Sequence, residues 1–196
     1  MSRSNSNTRE KILKATWKLL EDQPGESVSM ATIAKAAGIS RQALYLHFPA
    51  RAELLIATAR HLDEVFKVDE RLAASRQAST GRERLDAYID AWGNYIPEIY
   101  GISRAFMALQ RTDAAAEAAW TDRMQAVRHG GAAAVKALKA DGDLNSDLSQ
   151  PRATDLLWML LSVPNWEQLR QTCGWSQKAY IQQMKHLAQK TLIKPD

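Results

Sequence analysis

At 196 residues the chain has room for one large domain or two small ones, and an apolar content of 45% is enough for a real core. No stretch approaches the roughly 18 apolar residues of a membrane span, and the opening MSRSNSNTREK lacks the apolar segment of a secretory signal. A cytoplasmic location without membrane association is therefore expected. The single Cys173 excludes an internal disulfide and a cysteine metal cluster. The formal charge of +4 is unevenly placed: residues 1–51 carry 8 Lys/Arg against 4 Asp/Glu, whereas residues 52–196 carry 18 of each. That distribution suits either a solubilising basic end or a phosphate-facing module on a neutral body.

Helical periodicity dominates the chain, and no convincing alternating strand is present. Residues 1–7 are rich in Ser and Asn and read as a disordered tail. From Thr8 to Leu20, residues Ile12, Leu13, Thr16, Trp17 and Leu20 recur at helical spacing, and DQPG stops that helix. Ser29 precedes a short helix over Met30–Ala37. Gly38 suits a left-handed helix end, and Ser40 is a good N-cap for the next helix. A long helix follows from about Ala50 to Ala74, ended by ASTG. Leu85, Tyr88, Ile89, Trp92 and Ile96 form a further stripe, which Pro97 is expected to halt before a short helix at Ile102–Leu109. Another helix spans Ala114–Ala140. After the DGDLNSD loop, two C-terminal helices are expected, Pro151–Cys173 kinked by Pro164 and Ser176–Ile193. The fold class is all-α.

Two short helices joined at Gly38 make a helix-turn-helix, whose second helix enters the DNA major groove in binding versions of the motif. Leu44 and Phe48, four residues apart, supply an apolar inner face. Ser40, Arg41, Gln42, Ala43, Tyr45 and His47 are then left outward or at the rim. Arg and Gln suit guanine and adenine edges because each makes two hydrogen bonds at once, and a Tyr hydroxyl suits a phosphate oxygen.

The stretches TREKILKATWKLL, SMATIAKAAGIS and ALYLHFPARAELL together resemble the N-terminal domain of tetracycline-repressor-type (TetR family) regulators. The resemblance covers residues 8–55, about a quarter of the chain. It implies a helix-turn-helix domain over residues 8–53, with the motif at about 30–49, and a helical ligand-binding and dimerisation domain over 54–196. It further implies that Ser29 and Thr32 touch the DNA backbone, that Arg41, Gln42 and Tyr45 face the groove, and that His47 lies near phosphate. Arg51 stands where the family usually has lysine and is expected to grip a phosphate. Ala43 replaces a common threonine, and Glu26 a common aromatic.

For the body, Tyr88, Trp92, Tyr95, Phe106, Trp120, Met124 and Trp158 are either core or the lining of the cavity that the resemblance implies. Large flat side chains and adaptable methionines would suit a small apolar or aromatic effector. LLWMLLSVPNW is apolar almost all round and needs cover on more than one side. Leu157, Leu161, Trp166, Tyr180, Ile181, Met184 and Leu187 are accordingly expected at a two-fold helical interface between two copies. The Ala50–Ala74 helix, reaching from the DNA to the body, would couple the two functions. No constellation suggests a catalytic site, a metal site or a cofactor, so the expected function is a ligand-responsive, operator-binding repressor rather than an enzyme. The alternative is a ligand-independent structural or nucleoid-associated DNA-binding protein.

Overall fold

The computed structural model describes the backbone of residues 2–195, with side chains described from residue 6 onward. The described residues form helices in the order α1 (Ser2–Asp22), α2 (Met30–Ala36), α3 (Arg41–His47), α4 (Arg51–Val65), α5 (Val68–Arg71), α6 (Ala73–Gln77), α7 (Gly81–Leu109), α8 (Ala114–Ala140), α9 (Gln150–Leu160), α10 (Val163–Glu167) and, after a π-helical turn at Gln168–Thr172, α11 (Gln177–Leu192). The fold is all-α, and one isolated antiparallel bridge joins Leu144 to Ile193. No helix of the described residues is long and apolar enough to cross a membrane. The chain divides into two compact units, Met1–Val65 with Ile99–Met124, and Phe66–Glu98 with Gln125–Asp196. The first division thus falls at Val65 rather than at residue 53, and residues 99–124 group with the N-terminal helices.

In the first unit α1 packs on α2 and α4, and α2 packs on α3. The stripe Ile12, Leu13, Thr16 and Leu20 is buried, as are Ile33, Leu44, Phe48, Leu54, Leu55 and Leu62. Two threonines reach the core because each hydroxyl donates to a carbonyl one turn back: Thr16 to Ile12 O at 2.8 Å and Thr58 to Leu54 O at 2.8 Å. Helix α1 begins at Ser2, so residues 2–7 are helical where a disordered tail was expected. Once the buried stripe has nucleated the helix, extending it by a residue costs little.

In the second unit, Leu85, Tyr88, Ile89 and Trp92 of α7 are buried, together with Val135 and Leu138 of α8 and the inner faces of α9 and α11. Helix α7 opens on a capping box: Thr80 Oγ1 accepts from Glu83 N at 3.2 Å, and Glu83 Oε2 accepts from Thr80 N at 3.2 Å. So Thr80 not only ends one segment but starts the next.

Three expected helix boundaries differ. The Ala50–Ala74 helix ends at Val65, because Lys67 adopts a left-handed conformation (φ 55°) and α5 and α6 follow as short separate turns. Pro97, by contrast, does not halt α7, which runs through it. Proline at 97 cannot donate to the carbonyl of Gly93, but Gln177 Nε2 donates to that oxygen at 2.8 Å. The lost bond is replaced from α11. Finally, the Pro151–Cys173 helix is broken rather than kinked. It stops at Leu160, and Ser162 caps a new helix by accepting from Asn165 N at 3.3 Å, leaving Pro164 in a first turn where its missing N–H is harmless.

Candidate nucleic-acid interface

The motif at α2–α3 is built from local rules. Ser29 Oγ accepts from Thr32 N at 3.1 Å and starts α2, while Ser40 Oγ accepts from Ala43 N at 3.1 Å and starts α3. Between them the chain reverses by a Schellman turn, in which Gly38 N donates to Lys35 O at 3.2 Å and Ile39 N to Ala34 O at 3.0 Å. Gly38 has φ +68°, and a Cβ there would meet nothing within 4 Å, so backbone conformation and not space requires the glycine. Leu44 and Phe48 are buried, which fixes the rotation of α3, and the Arg9 guanidinium lies over the Phe48 ring at 4.9 Å.

That rotation leaves Arg41, Gln42, Tyr45 and Leu46 exposed and Ala43 and His47 half-buried at the rim. Ser29 and Thr32 are exposed on α2, though their hydroxyls also bond each other at 2.9 Å. Two side chains able to make paired hydrogen bonds and one phenol thus share one face of a short helix.

Arg51 is positioned otherwise than expected. Its Nε donates to Val28 O at 2.7 Å and its Nη1 to Asp113 Oδ1 at 2.6 Å, with only 20% of the side chain exposed. A guanidinium committed to two internal acceptors is a brace, not the free surface cation that a phosphate grip needs. It ties the loop before α2 and the start of α4 to the turn before α8. Asp113, which sequence reasoning overlooked, is the hub of this cluster. It accepts from Ser27 Oγ at 2.7 Å and from the backbone N–H groups of Ala115 and Ala116 at 3.1 and 3.2 Å. Burial raises its carboxyl pKa, but the hydrogen bonds from Arg51, Ser27 and Ala116 outweigh this and bring it down to about 2. The available signal was an Asp standing directly before the Ala-rich run AAAEAAW, an N-cap position.

Residues 12–58, which contain the whole motif and its braces up to Arg51, match the family of bacterial regulatory proteins, tetR family. That match covers about a quarter of the chain. Among curated relatives, the chain is 36% identical over 64 residues to a nucleoid occlusion factor SlmA of Marinomonas sp., covering 33% of this chain and 32% of that protein. It is 36% identical over 81 residues to the HTH-type transcriptional regulator BetI of Rhizobium meliloti, covering 41% and 39%. The matches therefore span about a third of the length of such relatives. The fold extends further: NalD, described as the secondary repressor of the MexAB-OprM multidrug efflux pump in Pseudomonas aeruginosa, superposes with a TM-score of 0.70 at 19% identity, covering 98% of this chain and 100% of that one.

Beyond the matched segment, the chain distributes the expected effector residues over both units. Phe106, Trp120 and Met124 belong to the first, and Tyr88, Trp92, Tyr95 and Trp158 to the second. Tyr88, Trp92 and Tyr95 are buried on α7, and two of their polar ends are satisfied internally: Tyr88 Oη donates to Val127 O at 2.5 Å and Trp92 Nε1 to Leu161 O at 2.7 Å. Trp92 and Tyr95 stack edge to face at 5.8 Å. Phe106 and Met124 are buried and Trp120 half-buried, whereas Trp158 is exposed.

The expected dimer face needs correction. Leu157, Leu161, Trp166, Tyr180, Ile181 and Met184 are all buried within the single chain, and Leu187 is half-buried. The apolar residues that α9 turns outward are Trp158 and Met159, 38% and 52% exposed. The inner face of a helix cannot serve its own core and a partner at once. The continuous apolar run hid which side faces in.

Proposed function

We propose that this protein is a sequence-specific DNA-binding transcriptional repressor that holds a palindromic operator as a homodimer and leaves it when a small apolar or aromatic effector binds. One observation carries the proposal: α3 presents Arg41, Gln42 and Tyr45 together on its exposed side, while buried Leu44 and Phe48 fix its rotation. In this reading Arg41 and Gln42 read base edges, Tyr45, Ser29, Thr32 and the rim residue His47 contact phosphates, and Ser40 and Ala43 set the start of α3 against the backbone. Arg51 is a positioning residue that braces the head through Asp113 and Val28. The dimer seam runs along the Trp158–Met159 side of α9 and places two heads about 34 Å apart, one helical turn of DNA. The effector acts on the aromatic residues of α7 and shifts operator affinity by a coupling of about 1–3 kcal/mol.

The test is a genome-wide map of sites bound by the purified protein. A shared palindrome near promoters, with binding weakened by Arg41→Ala or Gln42→Ala, supports the proposal. A second reading draws on the SlmA relatives, which are named as nucleoid occlusion factors. Sites spread widely with little sequence preference would favour that ligand-independent reading and defeat the repressor one.

A further inference from the structure

The exposed side of α3 carries an apolar residue that hydrogen-bond readout does not use. Leu46 is 82% exposed, more than Tyr45 at 42% or the other large apolar side chains that reach solvent. A single exposed leucine is ordinary on a protein surface. Its position is what gives it meaning. At about 100° per residue, Gln42 and Leu46 each lie about 160° around the helix from buried Leu44, one on either side of the outermost line. They are four residues apart and so form one outward ridge, flanked by Arg41 and Tyr45. Whatever surface Gln42 meets, Leu46 meets too.

The occupant follows from that surface. Of the groups on base edges in the major groove, the thymine C5 methyl is the apolar one. The four residues separating Gln42 from Leu46 rise about 6 Å along the axis. Base pairs are stacked about 3.4 Å apart, so the two side chains address positions about two base pairs from each other. We propose that Leu46 is a specificity-determining residue, packing against the C5 methyl of a thymine about two base pairs from the base read by Gln42. This inference rests on the DNA-binding function proposed above. A polar residue there would be left against a methyl group. A leucine instead removes apolar surface on both sides from water, and the gain is confined to base pairs that carry the methyl.

The experiment separates the two ideas. The full-length protein selects duplexes from a random pool, and the preferred duplex is then resynthesised with dT replaced by dU at one position per half-site at a time. The exchange removes only the methyl group. Wild-type protein should bind about three- to fivefold more weakly at one such position. Leu46→Ala and Leu46→Gln, both at an exposed site and checked for wild-type helicity by circular dichroism, should bind the dT and dU duplexes equally. If no position is sensitive to methyl loss, or if Leu46→Ala keeps the wild-type sensitivity, the inference fails while DNA recognition stands. If the pool yields no preferred sequence, the proposal of sequence-specific operator binding falls and takes this inference with it.

Discussion

Asp113 is where one side chain does most for this structure. It caps α8 with one oxygen and holds Arg51 and Ser27 at the same time. Because its folded-state pKa lies near 2 and an unfolded aspartate titrates near 3.9, the unfolded chain takes up a proton first as the pH falls. The stabilisation, on the order of 2 kcal/mol, is therefore complete above about pH 4 and lost as the pH drops through about 2. Asp113→Asn should lower stability by about 2 kcal/mol at pH 7, and the gap to wild type should close over that acid window, read from urea midpoints. Two buried tyrosines offer a contrast. Tyr180 is fully buried with no partner for its hydroxyl, whereas Tyr88 donates to Val127 O. Tyr180→Phe should leave the melting temperature unchanged or raise it, and Tyr88→Phe should cost about 1 kcal/mol, because removing a buried group without a partner removes only its desolvation penalty.

At the scale of elements, α7 depends on α11 for its continuity. Pro97 frees the Gly93 carbonyl, and Gln177 Nε2 bonds to it while Gln177 Oε1 accepts from Trp166 Nε1 at 3.0 Å. Gly93 itself lies so close to α11 that a Cβ would come within 2.2 Å of Ile181 Cδ1. Gln177→Ala should destabilise by about 1–3 kcal/mol. In a Pro97→Ala background, residue 97 regains an N–H for that carbonyl, and the same substitution should cost measurably less. A double-mutant cycle with additive effects would show that the two positions are not linked. Sequence reasoning put a helix end at Pro97 because it counted only what proline removes. The compensating donor lies 80 residues further along the chain.

For the whole molecule, the seam now assigned to Trp158 and Met159 makes a different prediction from the seven residues first expected. Trp158→Glu combined with Met159→Glu should yield a folded single chain by light scattering, with half-site binding retained but cooperativity on the full operator lost. Leu157→Glu, at a position 1% exposed, should instead unfold the protein. A double Glu variant that keeps a two-chain mass would dismiss this seam.

The sequence alone determined what local rules govern: the all-α class, the serine cap at 40, the left-handed Gly38, the inner face of Leu44 and Phe48, and the bounds of α8. Each follows from side chains within a turn or two of one another. Tertiary structure alone decided that Arg51 turns inward to Asp113, that α7 survives Pro97, and which flank of the apolar run that begins at Leu156 is core. In each of these, a partner distant in the chain supplies a charge, a donor or a covering surface, and periodicity carries no information about such partners.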